Sequence, residues 1–141
     1  MSDKFDLDRF IKAQEHSYER ALADVKDGRK KGHWIWYIFP QIVGLGMSPT
    51  AVHYSIVSLD EAKAYMENPV LGKRLIEISQ ALLDCGVDDP VEVFGSLDSM
   101  KVCSSMTLFE LTKASDVFSN VLDTLYDGER DTLTLDIVKR Q

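Results

Sequence analysis

The chain has 141 residues, of which 45% are hydrophobic and 28% charged, and it carries a formal net charge of −7. That length suits one domain burying roughly 70% of the surface its unfolded chain exposes, and the composition excludes a disordered or fibrous polypeptide. The acidic balance excludes a general binder of nucleic acid or of membrane surfaces, because bulk repulsion opposes approach to phosphate.

The N-terminus, MSDKFDLDRF, is too polar for a signal peptide, and no apolar run approaches the ~20 residues of a membrane span, so a cytoplasmic location is expected. From Leu7 to Asp27 the apolar residues Phe10, Ile11, Tyr18, Ala21, Leu22 and Val25 recur at helical spacing. One helix is predicted there, capped by Asp6 and ended by Gly28 in a left-handed conformation. Gln14 shares the apolar stripe, so its amide faces inward and needs partners, either at a site or on a loop backbone.

After the basic link Arg29, Lys30, Lys31 and Gly32 comes His33 to Gln41, HWIWYIFPQ, which holds both tryptophans. Its apolar residues are nearly continuous, so periodicity does not separate a short helix from a strand. Pro40 ends any helix at Phe39. Gly44 and Gly46 permit tight turns, and Ser48 before Pro49 reads as the cap of a short helix through His53 and Tyr54.

Ser58 and Glu61 form a capping box opening a helix through Met66, and Asn68 and Pro69 open another with Leu71, Leu75, Ile78 and Leu82 as its core stripe, ending at Gly86. Asp89 and Pro90 begin a brief turn closed by Gly95. Ser96 is expected to cap a helix through about Thr112, Val117 to Leu125 marks the next, stopped by Gly128, and Asp131 caps a last one. No alternating run bounded by hairpin turns and no repeat is visible. The reading is all-α: a compact single domain, residues 1–141, of about seven short helices, with connections too short for a second domain.

Nothing matches a Walker loop, a dinucleotide fingerprint, a zincin helix or a nucleophile elbow, so neither a catalytic residue nor a cofactor is assigned. His16, His33 and His53 stand at no metal-ligand spacing, and no metal is expected. Cys85 and Cys103 suit neither a zinc cluster nor a disulfide framework and read as buried thiols. Gly44, Leu45 and Gly46 lack a third glycine and a preceding strand, so they read as a plain turn or a weak phosphate signal. His33, beside two tryptophans and after a cationic run, suits an acceptor or base, or simply a hydrogen bond at a helix start.

Trp34 and Trp36 lie two positions apart and cannot share one helical face, so one packs inward while the other lines a cleft, or both belong to the core. Aromatic faces beside Lys30 and Lys31 suit a planar anionic ligand such as a nucleotide. Between Ser96 and Phe109, Asp98 precedes Lys101 by three residues and Lys101 precedes Ser105 by four, which makes one polar strip on a helix. A lysine beside serines is compatible with nucleophile activation but lacks an oxyanion site, and an exposed ion pair is the plainer reading.

The segments AQEHSYERAL, GHWIWYIFPQIVGLGMSP, YSI with EAKAYMENPVLGKRL, and FGSLDSMKVCSSMTLFE, in that order, closely resemble the domain-of-unknown-function family 1810. The resemblance implies a small, mainly helical bacterial domain without an assigned activity. Its motif positions fall on Gln14, Tyr18, His33, Trp34, Trp36, Pro40, Gln41, Gly44, Gly46, Ser48, Tyr54, Pro69, Gly72, Asp98, Lys101, Ser104 to Thr107, and Phe109. Members are sometimes labelled calpastatin, which four prolines in a globular composition do not support. A fainter similarity, in SYERAL and in Met106 to Phe118, is to the NADAR family, linked to ADP-ribose and N-glycosidic chemistry.

Two functions follow as expectations. One is a cleft that binds or hydrolyses a nucleotide-like small molecule, lined by the HWIWYIFPQ motif and drawn from Gln14, Tyr18, His33, Trp36, Gln41, Ser48, Tyr54, Asp98, Lys101, Ser104, Ser105 and Thr107. Lys101 would meet negative charge there, and Asp98 or a nearby carboxylate would act as acid or base. The alternative is a protein-interaction module without chemistry, whose protein partner would cover an apolar face around Trp34, Trp36 and Ile42.

Overall fold

A computed structural model of the chain describes residues 4–141. It is 63% helical, with no strand among the described residues. The helices are α1 (Asp8–Glu15), α2 (Tyr18–Lys26), α3 (Ile35–Ile38), α4 (Pro49–His53), α5 (Leu59–Glu67), α6 (Leu71–Asp84), α7 (Pro90–Phe94), α8 (Ser96–Glu110), α9 (Val117–Leu125) and α10 (Thr132–Arg140).

Ten helices replace the expected seven for local reasons. The predicted Leu7–Asp27 helix breaks at His16 and Ser17, which lets α1 pack on α3 while α2 turns onto α6. Part of the aromatic block winds into the single turn α3, and the turn after Asp89 is itself a five-residue helix.

Most predicted caps form. The side chains of Ser48, Ser58, Asp89 and Asp131 accept from the backbone N–H of Ala51, Glu61, Val91 and Thr134. Each such cap contributes about 1 kcal/mol. Glu61 completes its box one residue early, accepting from Val57 N–H at 2.8 Å, while its other oxygen pairs with Arg9 at 2.9 Å. Two expected caps are absent. Asp6 sits at φ 52° and serves α1 through its carbonyl, which accepts from Arg9, rather than through its carboxylate. Ser96 is already the first residue of α8, after Gly95 at φ 82°, and no side chain caps that helix.

The core is a layer of α6, α8 and α9, with α2 and α5 against α6, and α7 and α10 against α8. Phe10, Tyr65, Phe109 and Phe118 run through it as an unbroken chain of ring contacts. All four are fully buried, each worth ~1.5–3 kcal/mol over an exposed position. The close crossing of α5 and α6 requires Gly72, since a Cβ there would lie 2.2 Å from the Met66 carbonyl oxygen. No described helix is long and apolar enough to cross a membrane.

α8 is wrapped nearly all round, burying Ser104 to Phe109 without interruption. Of the predicted polar strip, Asp98 and Lys101 pair at 3.1 Å, while Ser105 is fully buried. A single parallel bridge between Ile42 and Ile56 holds the chain after α3, with Ile56 N–H donating to the Gln41 carbonyl at 2.8 Å. That bridge places Gln41 beside α8.

Candidate functional site

A cleft of about 820 Å³ opens between α8 and the start of α10, with the segment after α3 as its third wall. Gln41, Leu45, Met100, Lys101, Ser104, Tyr126, Glu129, Asp131 and Leu133 line it. Gln41 is 5% exposed, yet its Nε2 has no hydrogen-bond partner. A buried amide left unsatisfied costs about 1–3 kcal/mol. The fold tolerates that cost at the wall of the cleft.

Charge on the α8 side is organised around one carboxylate. Asp98 accepts from Lys30 at 2.8 Å and from Lys101 at 3.1 Å. Burial opposes its ionisation, but the two ammonium groups outweigh that and hold the carboxyl below its ordinary range. Each lysine also lies over an indole, Lys30 5.3 Å from the centre of the Trp34 ring and Lys101 4.5 Å from that of Trp36.

Trp34 is core, and Trp36 is half-buried. Asp24 sets the Trp34 ring by accepting its indole N–H at 3.0 Å, and it also accepts from the backbone N–H of Lys31 and Gly32. Although burial opposes its charge, these donors hold the Asp24 carboxyl below the usual range. Gly46 has a packing role rather than a phosphate role: a Cβ there would lie 2.7 Å from Ala51 Cβ and 2.8 Å from Trp36 Cη2.

The far wall is acidic. Arg130 is engaged by Glu110 and by Asp123 (2.8 Å), and its guanidinium holds the Glu110 carboxyl below the ordinary range. Asp131 accepts from Ser104 Oγ at 2.9 Å and from both the backbone N–H and the hydroxyl of Thr134, while its own N–H donates to Thr107 Oγ1 at 3.0 Å. Ser104 and Thr107 thus fasten α10 to α8. Burial, reinforced by Asp131, pushes the Cys103 thiol up to about 11. Tyr126 donates to the Ser99 carbonyl at 2.7 Å, and burial raises its phenol well above the usual value.

Of the residues singled out in the sequence, Gln41, Lys101 and Ser104 line this cleft; Trp36 lies beneath Lys101, Asp98 pairs with it, and Thr107 supports Asp131. The Ser105 hydroxyl is buried without a partner. Other members lie elsewhere. Gln14 donates to the Tyr37 carbonyl and to Tyr65 Oη and accepts from Arg74, a satisfied structural amide. Tyr18 donates to Glu77 and to the Arg74 carbonyl. Ser48 caps α4, Tyr54 packs against Phe10 and Tyr37, and His33 is exposed.

Sequence reading missed Tyr126, Glu129 and Arg130 and took Asp131 only as a cap. No local pattern marks them, because the junction of α9 and α10 reaches α8 only through tertiary packing. Among the described residues no three His, Cys, Asp or Glu side chains gather as a metal site.

The chain is similar to the conserved hypothetical protein Rv1873 from Mycobacterium tuberculosis, known from a crystal structure. The two share 42% identity and a TM-score of 0.95 over 97% of this chain and 99% of that one. No curated protein matches. Neither this likeness nor the family match shows a relation to the NADAR family. The profile of the proteins of unknown function DUF1810 matches residues 4–138, and the chain belongs to that family.

Proposed function

We propose that this protein binds a small, planar, nucleotide-like ligand in the cleft between α8 and α10. The observation that carries the reading is the buried Gln41 side chain, which borders the cleft and whose Nε2–H has no protein acceptor. A ring carbonyl or ring nitrogen of a ligand would accept that hydrogen. Leu45, Met100 and Leu133 offer apolar faces for a planar ring, and Lys101, braced over Trp36, meets an anionic group. For hydrolysis the available carboxylate is Glu129, because Asp98 is committed to two lysines and Asp131 to Ser104 and Thr134.

A second reading rests on the rim. Leu97, Met100 and Leu133 are 74%, 67% and 61% exposed and all border the cleft, which favours a protein-interaction module without catalysis. A thermal-shift screen against nucleosides, nucleotides and ADP-ribose derivatives separates the two. A true ligand at 100 times its Kd adds about 2.7 kcal/mol, and Gln41→Leu should abolish the shift. No shift across the set in the wild-type protein would leave the interaction reading standing alone.

A further inference from the structure

Asp98 stands between two lysines that differ in freedom. Lys30 is fixed at three points: its backbone N–H donates to the Val93 carbonyl at 2.7 Å, its ammonium donates to Asp98 at 2.8 Å, and it lies over the Trp34 ring. Its side chain is nearly buried and does not line the cleft. Lys101 lines the cleft and is partly exposed, its ammonium meeting Asp98 at 3.1 Å and the face of Trp36.

Two ammonium groups against one carboxylate leave one positive charge. That excess is delivered by Lys101. When Lys101 turns from Asp98 towards the cleft, Lys30 stays, so no carboxylate is left without a charged partner. Leaving a partly solvated pair under those conditions costs little. With Lys30 absent, the same movement would strip Asp98 of its last ammonium, and Lys101 would be held in place.

We infer, on the ligand-binding reading above, that Lys30 is a positioning residue for the cleft: without touching the ligand it occupies Asp98 and so releases Lys101 to the ligand's phosphate. The buried Gln41 side chain, whose Nε2–H has no protein acceptor, borders the same cleft and is the independent sign that a ligand enters it.

Titration calorimetry of AMP against adenosine and of UMP against uridine isolates the phosphate, since each pair shares its base and sugar. At low ionic strength at least one monophosphate should bind the wild-type protein about fivefold or more tightly than its nucleoside, an advantage that added salt reduces. Lys101→Met should erase the advantage. Lys30→Met, which keeps an apolar stem on Trp34, should erase it as well and leave nucleoside affinity unchanged. Adding Asp98→Asn to Lys30→Met removes the carboxylate that holds Lys101 and should restore the advantage to the wild-type level or above. A merely structural role for Lys30 would move nucleoside and nucleotide together and would not be rescued by Asp98→Asn. The double variant leaves neither a buried ammonium nor its carboxylate, so it decides the matter even if Lys30→Met alone does not fold. Equal wild-type affinities within both pairs, an advantage unchanged in Lys30→Met, or one absent in the double variant would overturn the inference while leaving the binding site in place. Absence of binding by all four compounds would overturn the inference and the ligand reading together.

Discussion

Lys30 donates to Asp98 at 2.8 Å from beneath the protein surface, so the basic link after α2 is fastened to the first turn of α8. The Lys30 side chain is 9% exposed and that of Lys101 is 29% exposed, and both depend on the same carboxylate. Their removal should therefore differ. Lys30→Ala strips a buried charge partner and its packing on Trp34, at a cost of about 2–3 kcal/mol. Lys101→Ala leaves Asp98 paired and should cost under about 1 kcal/mol. Urea denaturation of the two variants measures the ranking, and the reverse order would show that Lys101 holds the fold.

Acid should weaken the protein through carboxylates set at particular positions. Asp24, Asp98 and Glu110 all have folded-state values lowered from the ordinary range. A lowered value contributes stability that is complete above the unfolded value, near 4, and is lost as pH falls through the folded one. Stability should thus be flat at neutral pH and decline below about pH 5. Asp24→Asn keeps an oxygen for the Trp34 indole but removes the titration. It should be less stable at pH 7 and show a shallower acid slope, and an unchanged slope would assign the acid response to other groups.

Element positions were legible in the sequence wherever a cap or a glycine announced them, as at Ser48, Ser58, Asp89, Asp131 and Gly28. The break between α1 and α2 was not, since the apolar spacing from Phe10 to Val25 is continuous and tertiary packing alone turns the chain there. The site was half legible. The aromatic block pointed to Gln41, and the spacing of Asp98 and Lys101 pointed to their pairing. That Glu129 and Asp131 complete the cleft depends on how α10 docks, through Ser104 and Thr107. In the sequence those two residues belong to the candidate ligand site; in the structure they also act as inter-helix contacts.

Two glycines should respond unequally to a methyl group. Gly46→Ala places a Cβ against Ala51 Cβ and the Trp36 ring, and a half-buried ring has room to tilt, so about 1–3 kcal/mol is lost. Gly72→Ala drives a Cβ into the Met66 carbonyl, and only separation of α5 from α6 relieves it. Gly72→Ala should be the more damaging, failing to accumulate or melting well below Gly46→Ala. Tryptophan emission should shift in folded Gly46→Ala, because the packing of Trp36 changes, and not in a control such as Gly86→Ala, where a Cβ would meet nothing within 4 Å.

Gln41 offers the cleanest separation of folding from binding. Its Nε2 is buried and unpartnered, so the native state carries a desolvation penalty that an apolar side chain of similar size would not. The backbone role of the residue, its carbonyl accepting from Ile56 N–H, survives any side-chain change. Gln41→Leu should therefore unfold at the same urea midpoint as the wild type or a higher one, by up to about 1 kcal/mol. The same variant should lose the ligand-induced thermal shift, because the orienting donor is gone. A polar residue whose removal stabilises the fold and abolishes binding is one kept for a ligand. If Gln41→Leu instead lowered the midpoint by 2 kcal/mol or more, at the scale of about 1–3 kcal/mol for breaking a buried network, the amide would be a structural group and the cleft would lose its central donor.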